Sequence, residues 1–209
     1  MTRPRMKSER GAIAVEAAIV VPLLVVMMFG VVEVALLMRD SVALSSSVRT
    51  GSRIASASAG AGPGTCQASA NPPPCTPATV PAFAQAAADS IQRAGSAMPK
   101  DSINWVMVYE ANTAGYPLPA GNTQLVCTSN CVTYVWDQAL DRFRYASGTW
   151  ASKSVNACVN DPLQTSVGVA MRAQHQSVTG VIGSISLTER SVMRFEPLPS
   201  DQCKANTHQ

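Results

Sequence analysis

The chain has 209 residues and a formal net charge of +3, and only 14% of its residues are charged, against about 25% in an ordinary soluble domain. The first ten residues, with four cations and Glu9, carry a net charge of +3, which equals that of the whole chain, and no basic stripe with interleaved aromatic residues follows. The composition therefore gives no support to nucleic-acid binding. The residues beyond the apolar N-terminal region are numerous enough for one modest domain.

A short basic leader, residues 1–11, precedes a long apolar segment, residues 12–38. A membrane-spanning helix needs about 20 apolar residues, so the segment predicts a transmembrane helix. A cleaved secretory signal fits less well, because its apolar core has about 7–15 residues and ends at a small-residue cleavage site, whereas Arg39-Asp40 closes this segment without one. Four basic residues precede the helix and one follows it, which predicts a cytoplasmic N-terminus and an extracytoplasmic remainder.

Three residues of the apolar segment are unusual for a membrane helix: Glu16, Pro22 and Glu33. A carboxylate in hydrocarbon is costly and therefore usually functional, which makes Glu16 a candidate site residue; the alternative is a side chain that extends to the lipid headgroups. Pro22 removes a backbone donor and predicts a kink in the helix. Glu33 lies near the outer boundary, and we expect its carboxylate to reach water.

The order of these features resembles the TadE-like pseudopilins. The resemblance spans residues 10–55 and is carried by an ordered set: a basic leader, Gly11, Glu16 five residues later, Pro22 in the apolar run, Phe29-Gly-Val-Val-Glu33, and the Gly-x-Arg of residues 51–53. The chain has Ala17 where the family usually has an aromatic residue.

The resemblance implies a precursor that a prepilin peptidase cuts between Gly11 and Ala12. Cleavage would create an α-amine on Ala12, and Glu16 of one subunit could pair with the amine of a neighbour, relieving two otherwise isolated charges. Glu16, Pro22 and Glu33 are then candidate assembly and register residues.

Beyond the membrane the sequence predicts an α+β fold: a long transmembrane and stalk helix followed by a small, disulfide-containing antiparallel sheet domain with one or two helices. The predicted units are a helical stalk (39–57), a Pro/Gly-rich loop (58–80) and an extracytoplasmic domain (81–209). Within that domain the patterns predict a helix over 81–98, strands over 103–110, 132–136, 165–174 and 184–196, and a short helix over 176–183. They leave residues 142–150 unassigned.

Six cysteines follow the apolar segment, which is typical of disulfides in an oxidising compartment. Sequence cannot choose among their 15 pairings; short loops favour Cys66–Cys75 and Cys127–Cys131 and leave Cys158 with Cys203. A zinc site is the alternative, since the spacing of Cys127 and Cys131 suits half of one, but no second close Cys or His pair follows.

No sequence pattern predicts catalysis, a cofactor or a metal site, and the two histidines, His175 and His208, have no acid or cysteine partner at a useful spacing. The leading hypothesis is a minor pseudopilin, a structural and assembly subunit of a Tad-type (tight adherence) pilus or secretion apparatus in a bacterial cytoplasmic (inner) membrane. Its expected partners are other pilins and pseudopilins, the prepilin peptidase, an inner-membrane assembly platform and membrane lipid. The alternative is a single-pass, membrane-anchored extracytoplasmic binding protein; an anchored hydrolase is a distant third.

Overall fold

The computed structural model of the chain describes residues 9–66, 76–93, 98–159, 161–180 and 183–199. Within these residues the elements in chain order are two α-helices and five strands: α1 (Glu9–Ala57), α2 (Ala82–Arg93), β1 (Ile103–Glu110), β2 (Cys131–Asp137), β3 (Arg142–Thr149), β4 (Ser166–Gln176) and β5 (Ser184–Arg194). Short 3₁₀ turns, Lys100–Ser102 and Ser152–Ser154, precede β1 and follow β3. The α+β fold predicted from the sequence is confirmed.

One continuous helix, α1, covers both the apolar segment and the stalk, and it continues through Pro22. Its distal half packs on the sheet through small side chains. A Cβ added at Gly51 would lie 3.0 Å from the Ile91 side chain of α2, so glycine lets α1 approach α2 and the sheet closely. Ser52 and Ser56 donate hydrogen bonds to the Ser191 hydroxyl (2.9 Å) and the Arg194 carbonyl (2.7 Å) of β5.

The five strands form one antiparallel sheet in the order β3-β2-β1-β4-β5. β1 lies at the centre because its sequence, INWVMVYE, is rich in the β-branched and aromatic residues that suit a sheet buried on both faces. α1 contacts β4 and β5, and α2 contacts α1 and β3. The two helices thus cover one face of the sheet and enclose the main core.

An aromatic cluster closes the core beneath α2. Phe83 packs edge-to-face on Trp150 and Phe195, with ring centroids 5.1 and 5.2 Å apart, an arrangement that the ring quadrupole favours. All three side chains are fully or almost fully buried. Trp150 therefore anchors this part of the core.

A loop, residues 111–130, covers the opposite face of the sheet at its centre. Tyr109 lies against the backbone of Gly168, where a larger residue would overlap its ring, and its hydroxyl donates to the Gly115 carbonyl at 3.0 Å. Burial raises the pKa of Tyr109 to about 12. Arg190 stacks on Tyr116 and donates to the same carbonyl at 3.1 Å, so the loop is held at several points.

The disulfide between Cys127 and Cys131 joins this loop to the start of β2, with the Cα atoms 5.5 Å apart. The zinc alternative for this pair is therefore wrong, because its sulfurs are bonded to each other. Cys66 and Cys158 are also disulfide-bonded. Cys75 and Cys203 lie outside the described residues, so the pairings predicted for them stay predictions.

Two predicted helical segments differ from the structure. Residues 176–183 contain no helix among the described positions: β4 continues to Gln176 and residues 177–180 bend. Gly180 and Gly183 have φ of 70° and 73°, values that a right-handed helix does not contain and that glycine tolerates. The predicted helix over 81–98 ends, in its described part, at Arg93, and Met98 is not helical because the following Pro99 disfavours that conformation.

Candidate functional site

The first half of α1 projects free of the domain. Every residue from 11 to 32 is exposed, including Glu16 and Pro22, and from Gly11 onward the helix is long and apolar enough to cross a membrane. Within the described part of the chain, a Cβ added at Gly11 would meet no atom within 4 Å. The predicted cleavage position and Glu16 are thus accessible to other molecules rather than bound within the fold.

The environment of α1 changes abruptly at Glu33, which is only 3% exposed. Its carboxylate lies beside His175 near the end of β4, with Nε2 and Oε1 3.4 Å apart. On the other side of the same ring, Nδ1 lies 2.7 Å from Oδ2 of Asp40. His175 is 4% and Asp40 5% exposed. We call Glu33, Asp40 and His175 the helix–sheet clamp, because two carboxylates of α1 lie within hydrogen-bonding distance of the two nitrogens of one imidazole in the sheet.

The protonation chemistry of the clamp follows from this geometry. A neutral imidazole has one N–H donor and one acceptor, whereas the imidazolium donates from both nitrogens. Carboxylate oxygens face both nitrogens of His175, so only the imidazolium can donate to both acids. Asp40 is neutralised further by Arg39, whose Nη2 donates to Oδ1 at 3.1 Å. Removing one member of such a buried group would leave the charge of another uncompensated, which is destabilising.

Backbone donors complete the coordination of Glu33. The N–H of Val178 donates to both carboxylate oxygens at 3.2 Å, and the N–H of Thr179 donates to Oε2 at 3.4 Å. The expectation that Glu33 reaches water is therefore wrong. The N–H groups of the turn after β4 take the place of water around the carboxylate. Hydrogen bonds of this kind offset the cost of burying a charge.

Sequence reasoning also missed the partners of His175. Glu33 and Asp40 lie far from it along the chain, and no local spacing connects them. The only sequence signal is the chemistry itself, because an acid inside an apolar segment needs a donor.

A cavity of about 270 Å³ lies beside the clamp, lined by Arg39, Asp40, His175 and residues of the 3₁₀ turn before β1. Its polar lining includes Asp101 and Ser102. Among the residues that the structure describes, no group of three or more His, Cys, Asp or Glu side chains has the arrangement of a metal site. The leader residues 1–8 lie outside the described part of the chain.

Comparison with known proteins agrees with the position of these features. The family model described as TadE-like protein matches residues 11–53, about a fifth of the chain. Neither the curated proteins nor the solved structures contain a match. The matched segment begins at the predicted cleavage position, includes the exposed half of α1 with Glu16 and Pro22, and extends through the two acids of the clamp.

Both the resemblance and the structure thus single out the same helix. It is apolar, exposed along its first half and rigidly joined to a disulfide-containing sheet domain along its second. Residues 11–53 are similar to the TadE-like family over the helix and stalk.

Proposed function

We propose that the chain is a minor pseudopilin of a Tad-type pilus or secretion apparatus, made as a precursor that a prepilin peptidase cuts between Gly11 and Ala12. It is a structural and assembly subunit of a bacterial cytoplasmic (inner) membrane, with its N-terminus in the cytoplasm and the sheet domain outside. Its partners are other pilins and pseudopilins, the peptidase and the inner-membrane assembly platform. Its size favours a minor role over that of a small major pilin.

The observation that carries the proposal is the exposed half of α1. Residues 11–32 are all exposed in the described structure yet are almost wholly apolar, so lipid or neighbouring subunits must cover them in the cell. A carboxylate in that surface, Glu16, lies one helical turn from the α-amine that cleavage would create on Ala12. Pairing between subunits would relieve the cost of both charges.

The family match favours assembly over simple anchoring. A plain anchor needs only apolar residues of sufficient length, whereas the match falls on the helix and stalk, residues 11–53, rather than on the sheet domain. Replacing residues 12–32 by an unrelated spanning segment separates the two functions. An anchored binding protein would keep its activity after the exchange, and a pseudopilin would lose it.

Processing is tested by N-terminal sequencing of the mature protein after co-expression with a prepilin peptidase. We expect the mature chain to start at Ala12. The Gly11→Val variant should remain uncut, because a branched side chain blocks close approach of the peptidase to the backbone. Gly30→Val is the matched control, since a Cβ added at Gly30 also meets no atom within 4 Å, and it should be cut normally.

Retention of Met1 or Thr2 in the parent chain would overturn the proposal. Equal cleavage of the Gly11→Val and parent chains would overturn the assignment of the cut site. Because neither glycine contacts the rest of the fold, a difference between the two variants cannot arise from misfolding of the sheet domain.

A further inference from the structure

The turn that follows β4, residues 177–180, contacts α1 close to the exposed, membrane-length part of that helix. Its N–H groups bind Glu33, which precedes the end of the apolar segment at Met38 by five residues, or about 7–8 Å along a helix. Measured from Ala12, Glu33 lies about 31 Å along the helix axis. The hydrocarbon core of a bilayer is about 30 Å thick, so the turn is level with the outer edge of that core.

The exposed side chain of the turn is apolar. Val178 is 75% exposed, although its own backbone N–H binds the buried Glu33 carboxylate and the residue lines the cavity beside the clamp. Elsewhere on the sheet domain a single exposed valine needs no explanation. At this level of α1 it faces the region where amphipathic protein surfaces rest between headgroups and acyl chains.

Three backbone N–H groups of the turn, those of residues 178–180, are already bonded within the protein. Val178 and Thr179 donate to Glu33, and the N–H of Gly180 donates to the Ser177 hydroxyl at 3.0 Å. The hydroxyls of Ser177 and Thr179 lie 3.2 Å apart and pair with each other. Unsatisfied N–H groups make irregular backbone costly in lipid, and the three consecutive N–H groups of this turn avoid that cost.

We propose that residues 177–180 form a membrane-contact surface, in which Val178 lies at the boundary between the phospholipid headgroups and the acyl chains of the outer leaflet. The inference rests on the membrane span of the proposed function. The clamp then has a purpose: it fixes the turn at membrane level and holds the sheet domain upright on the bilayer at two points, the helix and the turn. The membrane level proposed for the turn then places at headgroup height the polar cavity that Val178 lines together with Arg39 and Asp101.

The test places a tryptophan in the turn and asks whether lipid reaches it. The full-length Val178→Trp chain is reconstituted in phosphatidylcholine vesicles, with and without lipids brominated on the upper part of the acyl chains. Emission of the unsubstituted chain is subtracted. We expect roughly twofold or greater quenching and a blue shift, since a side chain at the headgroup–acyl boundary meets the bromine atoms.

Val159→Trp is the matched control. Val159 is 58% exposed. The preceding residue, Cys158, forms a backbone β-bridge with Leu198, and two residues before Leu198 the N–H of Glu196 donates to the Ser56 carbonyl at the far end of α1. Ser56 lies about 35 Å from Glu33 along α1, well above the membrane. The added emission of this variant should be unquenched.

Equal emission of the two variants in brominated vesicles would overturn the proposal. A blue shift at position 178 that grows with protein density, without quenching, would assign the surface to a second copy of the chain and would also overturn it. The assay needs no peptidase and no pilus. Quenching at position 178 without cleavage after Gly11 would therefore support this inference and contradict the proposed function. Cleavage after Gly11 without quenching at position 178 would support the proposed function and contradict this inference.

Discussion

The clamp makes a quantitative prediction about how the stalk is held on the sheet. The contact between Asp40 and His175 is a buried hydrogen bond of 2.7 Å with an ionised acceptor, and such bonds contribute about 1.5–3 kcal/mol. Removing one member of a fully isolated buried ion pair costs about 3–5 kcal/mol. Asp40 keeps Arg39 at 3.1 Å, and Glu33 keeps two backbone donors, so His175→Gln should cost less, about 2–3 kcal/mol.

A double-mutant cycle isolates the pair. Asp40→Asn, His175→Gln and the double variant are compared by urea unfolding of the full chain in detergent, followed by the fluorescence of its three tryptophans, of which Trp150 is buried in the core. We expect a coupling free energy of about 2 kcal/mol between the two positions. Gln174→Ala, an exposed change on the same strand, should alter the free energy of unfolding by less than about 0.5 kcal/mol.

A coupling free energy below about 0.5 kcal/mol, the range found for independent sites, would refute the reasoning. It would mean that Asp40 and His175 lie side by side without stabilising one another. The junction between α1 and the sheet would then rest on the apolar and small-residue contacts of the stalk alone.

Two further changes test the assembly helix and the outer face of the sheet. Glu16→Gln should leave membrane insertion intact but reduce piliation about tenfold or more, since losing about 1.4 kcal/mol of subunit pairing already lowers an association constant tenfold; normal pili in that strain would show that the carboxylate is incidental. Gly168→Ala should lower the free energy of unfolding by about 1–3 kcal/mol through overpacking, because its Cβ would overlap the Tyr109 ring; the cost should largely vanish in a Tyr109→Ala background, and an unchanged cost there would contradict the explanation.

Local patterns predicted the elements whose cause is local. The strand over 103–110 is confirmed residue for residue as β1, because β-branched and aromatic residues crowd that stretch. The long helix ends at Ala57, the last residue of the predicted stalk, where a Gly/Pro-rich stretch begins. β3 shows the limit. Residues 142–149 lack a clear strand pattern, and it is their pairing with β2 that makes them a strand. Tertiary context commonly outweighs intrinsic strand propensity in this way.

The sequence by itself determined that the chain has an apolar, TadE-like helix with an acid near each end and a disulfide-containing domain behind it. The length of the apolar segment, the charges that flank it and the cysteines that follow it are properties of the linear sequence, so they predict a membrane helix and an oxidised domain without coordinates. Only the tertiary structure decided what each acid does. Glu16 stays exposed, whereas Glu33 meets His175 and the turn at Val178. That difference depends on which side chains the folded sheet brings to the helix, and partners so distant along the chain leave no spacing by which they could be recognised.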